Sequence, residues 1–112
     1  MVPPSFQLGE FEQVVLLTIL RLKGEAYGAS IRGEIARCTE REPAAGALYT
    51  TLDRLEEKGL VASRFGDPTP ERGGRPKRYF TVTKAGLEAV TRAQRSFQRL
   101  LEGVTLPRWA YA

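Results

Sequence analysis

Apolar positions recur every three or four residues along the first half of the chain, the period of helices that bury one side. Over residues 9–22, Phe11, Val14, Val15, Leu17, Leu20 and Leu22 form a broad apolar face, with Glu10, Glu12, Gln13 and Arg21 as its polar complement. Lys23-Gly24-Glu25 ends that helix, and Gly24 suits a left-handed cap. A second helix is predicted from Tyr27 to Cys38, because Tyr27, Ile31 and Ile35 are spaced four apart while Arg32, Glu34 and Arg37 point elsewhere. Gly28, near its start, leaves room for another backbone to approach. Thr39 to Pro43 is a short polar connection, and Pro43 suits a helix start. The third helix spans Ala44 to Lys58 and closes at Gly59. Leu48, Leu52 and Leu55, joined by Ala45, make its core side; Gly46, Ala47, Thr50, Asp53, Arg54 and Glu57 fall opposite, with Tyr49 at the border.

After Gly59 the period shortens. Leu60 to Phe65 is strand-like, Gly66 to Pro76 holds three Gly and three Pro and reads as a loop, and Lys77 to Thr83 is aromatic and β-branched. The two strands make a hairpin with a long tip. Thr83 is the expected N-cap of a last helix that continues to about Glu102. The fold class is mainly α with a small β-hairpin (α+β), and the 112 residues fit one compact unit.

Charge sharpens this picture. Residues 61–84 carry Arg64, Arg72, Arg75, Lys77, Arg78 and Lys84 against Asp67 and Glu71, leaving eleven basic and eleven acidic residues elsewhere. The whole net charge of +4 therefore lies in the hairpin region, a local basic patch that points to a polyanion, with nucleic acid the first candidate. A solvated basic loop is the plainer alternative. The absence of His excludes His-based metal sites and Ser-His or Cys-His pairs, and the single Cys38 excludes an internal disulfide. No enzyme activity, metal or cofactor is expected. The longest apolar run, Val14 to Leu17, is too short to cross a bilayer, and Met1 to Ser5 has no basic start. The expected location is the cytoplasm.

Helix, helix, turn, helix, strand, basic loop, strand, helix is the layout of a winged helix-turn-helix. In such proteins the second helix of the motif enters the major groove. Here that is the third helix, whose Ala44, Ala45, Gly46 and Ala47 would let its backbone come close to a duplex. Thr50 and Arg54 offer hydrogen bonds one turn apart, with Tyr49 beside them. Arg64, Lys77, Arg78 and the wing residues Arg72 and Arg75 would meet phosphates or a minor groove. For Thr50 and Arg54 the plainer alternative is an ordinary solvated face, and for the wing a surface loop. A winged helix used only for protein contact is the competing functional class.

These residues resemble a known family. Leu8-Gly9-Glu10-Phe11-Glu12, Tyr27-Gly28 with Ile31, Gly46-Ala47-Leu48-Tyr49, Leu52 through Val61, Gly74 through Phe80 and Thr83-Lys84-Ala85-Gly86 are similar, in order and spacing, to the PadR family of bacterial regulators. The resemblance covers residues 8–101. Many members have a hydroxyl residue and Pro near Ala44-Ala45, and Pro after the Tyr, where this chain has Thr50. It implies a dimeric regulator, usually a repressor, paired through its last helix; it supplies no effector, although a small-molecule effector is compatible with it. The last helix supports pairing independently, because Leu87, Val90, Gln94, Phe97, Leu101 and Val104 alternate in steps of three and four, a heptad-like seam with one polar member. A stripe packed on its own domain is the alternative. The expected organisation is a DNA-binding unit over 8–83, a dimerisation helix over 84–104 in the same compact unit, and a tail over 105–112. Cys38 is expected to be a small buried residue at a helix end; for Trp109 and Tyr111 two readings stand, cover of an apolar surface or the lining of a ligand pocket, and a loosely ordered tail.

Overall fold

The computed structural model describes residues 7–67 and 76–107. Its elements follow the chain as α1 (Glu10–Arg21), α2 (Gly28–Cys38), α3 (Ala45–Glu57), β1 (Val61–Phe65), β2 (Arg78–Val82) and α4 (Lys84–Leu101). Each predicted element is present within one or two residues of its expected ends. Gly24 and Gly59 both adopt positive φ and end α1 and α3, a conformation that costs a glycine nothing because it has no Cβ. Pro43 stands one residue outside its expected place: Ala44 is the N-cap and Ala45 the first helical residue.

α1, α2 and α3 pack around one core with the hairpin and the start of α4. Leu48, Leu52 and Leu55 of α3 are fully buried, as are Val15 and Leu16 of α1, Ile31 of α2, and Leu60. Removing any one of the α3 leucines to Ala would cost about 2–5 kcal/mol. α1 is rotated from the expected face: Leu16 and Ile19 are buried, whereas Leu17 and Leu20 are exposed. Ala45 is exposed rather than part of the α3 core side, and Cys38 is exposed rather than buried, because α2 ends beyond the reach of the core.

β1 and β2 pair antiparallel, with Val61 opposite Val82, Ser63 opposite Phe80 and Phe65 opposite Arg78. The other edge of β2 is also used. Phe80 donates its N–H to the carbonyl of Ala26, and Tyr27 forms a bridge with Tyr79. The segment ahead of α2 thus extends the hairpin and ties it to the helices. α4 starts inside the same core. Thr83 accepts from Gly86 N–H at 3.1 Å, as its capping role requires, and donates to the Gly59 carbonyl at 2.7 Å. A Cβ on Gly86 would lie 2.1 Å from the Leu60 carbonyl oxygen, so only glycine allows this approach.

One ion pair crosses the core margin. Glu12, expected among the polar residues of α1, is buried; it accepts from Lys58 Nζ at 2.8 Å and from Gly9 N–H at 2.9 Å. Burial pushes its pKa up, but the Lys58 and Gly9 hydrogen bonds and the charges of Lys58 and Arg54 outweigh this, so its carboxyl titrates below the ordinary value. A depressed folded-state pKa means that the pair stabilises fully above the unfolded value, about 4.3, and that this share is lost as pH falls through the folded value. Lys58→Met should lower the unfolding free energy at neutral pH by about 2–3 kcal/mol, below the roughly 3–5 kcal/mol of a fully buried pair because the Lys58 side chain keeps part of its exposure. It should also flatten the loss of stability below pH ~4.3, since the stranded carboxyl prefers to be protonated. Urea unfolding of both proteins across that range checks this. Glu34, a half-buried carboxylate held at about 2 by hydrogen bonds from Arg37 and Arg21, titrates alike in both proteins and cancels in the comparison.

Candidate nucleic-acid interface

Burying Leu48, Leu52 and Leu55 turns the opposite side of α3 to solvent. Ala44, Gly46, Ala47, Thr50 and Arg54 are all exposed there, with open space around the Gly46 α-carbon. Arg54 lies at the α1 edge of this face, near enough to Glu12 to act on its carboxyl electrostatically. The turn leading into α3 is held from both ends. Arg32 donates through Nε to the Pro43 carbonyl at 3.0 Å, and Arg41 N–H donates to Thr39 Oγ1 at 3.0 Å. Arg41 further pairs with Glu10 and stands over the Phe11 ring. A shallow cleft of about 380 Å³ runs beside this turn, lined by Phe11, Arg41, Glu42, Pro43 and Ala47.

Tyr49 closes the other border of α3. Its hydroxyl rests where a Cβ of Gly28 would be, 2.1 Å from that ideal position. Gly28 therefore receives a side chain from the third helix, not a neighbouring backbone. This contact sets the spacing between the start of α2 and the front of α3. At the start of α2, Ser30 Oγ accepts from Tyr27 N–H at 2.9 Å and donates to the Glu25 carbonyl at 2.7 Å, which fixes the same corner.

The hairpin divides its basic residues between two faces. By strand alternation Tyr79 and Arg64 share the outer face, where Arg64 lies 4.8 Å from the Tyr79 ring centre. Lys77 Nζ is 4.3 Å from the Tyr27 ring centre, and the two tyrosines meet edge to face at 5.6 Å. Arg64 and Lys77 thus present their charge from an aromatic platform at the wing root. Arg78 lies on the inner face with buried Phe80 and is engaged by Glu56, Asp53 and Ser63. The sequence places Arg78 among the DNA-binding cations, whereas here its guanidinium is paired within the protein. Its place two residues before Phe80 was the available signal for the inward side. Arg72 and Arg75 lie outside the described residues. Among the described residues, no three His, Cys, Asp or Glu side chains gather as metal ligands, and no helix is long and apolar enough to cross a membrane.

The profile of the transcriptional regulator PadR-like family matches residues 16–92, more than half the chain. The chain belongs to the PadR-like family. It is a DNA-binding transcriptional regulator with a winged helix-turn-helix fold. This PadR-like chain is similar to the transcriptional regulator Rv3488 of Mycobacterium tuberculosis, 37% identical over 82 residues that cover 71% of this chain and 70% of the relative. Its fold matches a PadR family transcriptional regulator from Eggerthella lenta with a TM-score of 0.66 at 27% identity, covering 84% of this chain and 81% of that one. A PadR-like transcription factor from Bacteroides fragilis shares the fold with a TM-score of 0.68 at 24% identity, over 83% and 84% of the two chains.

The Gly28–Tyr49 contact yields a direct test of how this regulator's reading helix is seated. Gly28→Ala should destabilise the protein, and so should Tyr49→Ala. The double variant should recover about 1–2 kcal/mol relative to the sum, because the added methyl fills the space the ring vacates. Thermal unfolding of the four proteins measures the coupling; additive losses would mean that the ring does not sit on Gly28.

Proposed function

We propose that this regulator is a homodimeric repressor that reads a duplex operator with α3 and grips the flanking backbone with its wing. The observation that carries the reading is the solvent-facing side of α3. Its front offers only backbone and methyl groups at Ala44, Gly46 and Ala47, followed by hydrogen-bonding groups at Thr50 and Arg54, beside a wing root with cations at Arg64 and Lys77. Alanine methyls complement thymine methyls in a major groove, and an Arg fork suits a guanine edge or a phosphate. Arg72 and Arg75 extend the same charge along the wing sequence. The site of action is the cytoplasm, the chemistry is binding without catalysis, and no cofactor takes part. A small effector acting on this device would have to reach α3, and the cleft beside Ala47 adjoins it.

Pairing rests on the second half of α4. Beyond Val90 no residue of this 18-residue helix is buried. Phe97 and Leu101 are exposed by 53% and 46%, and Leu87 by 49%, although they follow one stripe with half-buried Gln94; Val104, also exposed, lies past the end of the helix at Leu101, where Gly103 takes positive φ, and so falls outside the expected seam. Val90 leaves the expected seam: at 3% exposure it belongs to the core of its own chain, where α4 packs on α1 and β2. An apolar stripe of this length open to water favours a partner, and a second copy supplies the paired reading helices that an inverted repeat needs.

Two measurements test the reading. Thr50→Ala and Arg54→Ala should each weaken binding to a duplex selected from a random pool by about 1–3 kcal/mol, with a smaller loss on a scrambled duplex. Equal losses on both would reassign these side chains to phosphate contact. Phe97→Glu with Leu101→Glu should convert a sedimenting dimer to monomer and remove silencing of a reporter that carries the selected duplex in its promoter. A wild-type monomer at micromolar concentration would contradict the dimer.

A further inference from the structure

Arg78 is the one described basic residue of the hairpin whose guanidinium is spent on the protein itself. Its Nη2 meets Glu56 Oε1 at 2.5 Å, its Nη1 lies 3.5 Å from Asp53 Oδ1, and its Nε donates to Ser63 Oγ at 3.2 Å. Ser63 Oγ in turn donates to the second Glu56 oxygen at 2.8 Å. The guanidinium plane is backed by the Phe80 ring, 4.9 Å away. Its side chain keeps 30% of its exposure, so these bonds are only partly screened by water. Every nitrogen of the group therefore has a partner, and the partners come from α3 and β1 while Arg78 itself belongs to β2.

We infer that Arg78 is a positioning residue: it clamps the wing hairpin to the reading helix at a fixed angle and governs discrimination between duplexes without touching DNA. The inference rests on the proposal that α3 and the wing engage one duplex together. A wing free to swing would still meet phosphates, which line the duplex at every step. It would not meet them in the register that seats Thr50 and Arg54 on base edges, and phosphate contacts are what set that register. The planar fork is essential, since a lysine ammonium in its place is a point charge that cannot hold two carboxylates and a hydroxyl in one plane.

The geometry can be read without DNA. Spin labels at Glu57→Cys and Asp67→Cys, in a Cys38→Ser background, should give a narrow distance distribution that broadens in Arg78→Gln; an unchanged distribution would overturn the clamp. With duplexes, Arg78→Gln should lose about tenfold affinity for the selected sequence and less than about threefold for a scrambled one. The slope of log K against log salt should stay as in the wild type, and Arg78→Lys should not rescue. Glu56→Gln should move affinity in the same downward direction, the double variant should be no worse than either single, and Ser63→Ala, which leaves all charges in place, should show the same loss of discrimination. If Arg78 instead contacts phosphate, Arg78→Gln would lower the slope by about 0.9 with equal losses on both duplexes, and Glu56→Gln would tighten both. A wild-type protein that prefers no duplex from the pool would defeat the operator reading, whereas the spin-label distances would still decide the clamp.

Discussion

Leu48, Leu52 and Leu55 are withdrawn from water completely, and their burial fixes how α3 is turned about its own axis. A rotation of a third of a turn would expose at least one leucine and bury a charged or polar side chain in exchange. That exchange would forfeit about 1.5–3 kcal/mol of hydrophobic burial and add the cost of an unpaired polar group. Thr50 therefore faces outward because the leucines must face inward. The neighbouring contacts refine this setting: Lys58 ties the end of α3 to Glu12 on α1, and Tyr49 ties its front to α2.

The hairpin is placed by the same economy of backbone polar groups. A two-stranded sheet on its own is only marginally stable in water. Here β2 gains a second neighbour, because Phe80 N–H finds the Ala26 carbonyl and the Phe80 ring enters the helical core. The wing is thus anchored at its root, and charge is sorted by strand alternation. Outward positions keep Arg64 available to solvent above Tyr79, while the inward position of Arg78 meets the carboxylates of α3.

Most of the architecture was legible in the sequence because its signals are local. The spacing of Tyr27, Ile31 and Ile35, the glycines at 24 and 59, and Thr83 before Gly86 each act within one turn of chain, and each element lies within a residue or two of its expected ends. What escaped depends on contacts distant in sequence. α1 carries apolar residues nearly all round, so periodicity could not choose between Leu17 with Leu20 and Leu16 with Ile19. Glu12 reads as a surface carboxylate until Lys58 is seen beside it. Val90 fits a heptad step, yet the close approach of Gly86 to Leu60 presses the first turns of α4 into the core. For the candidate interface, the exposed side of α3 followed from its leucines, whereas the aromatic seats of Arg64 and Lys77 joined residues far apart in the chain.

The phenol of Tyr49 occupying the place of a Gly28 side chain has a consequence for how such a sequence can drift. The two positions are coupled: a larger residue at 28 meets the ring, and a smaller one at 49 uncovers the start of α2. The two are inherited as one unit of volume shared between the helices on either side of the turn. Lineages that lose the glycine should be those that also trade the tyrosine for something shorter, and with it the edge of the groove-facing surface that the ring now defines.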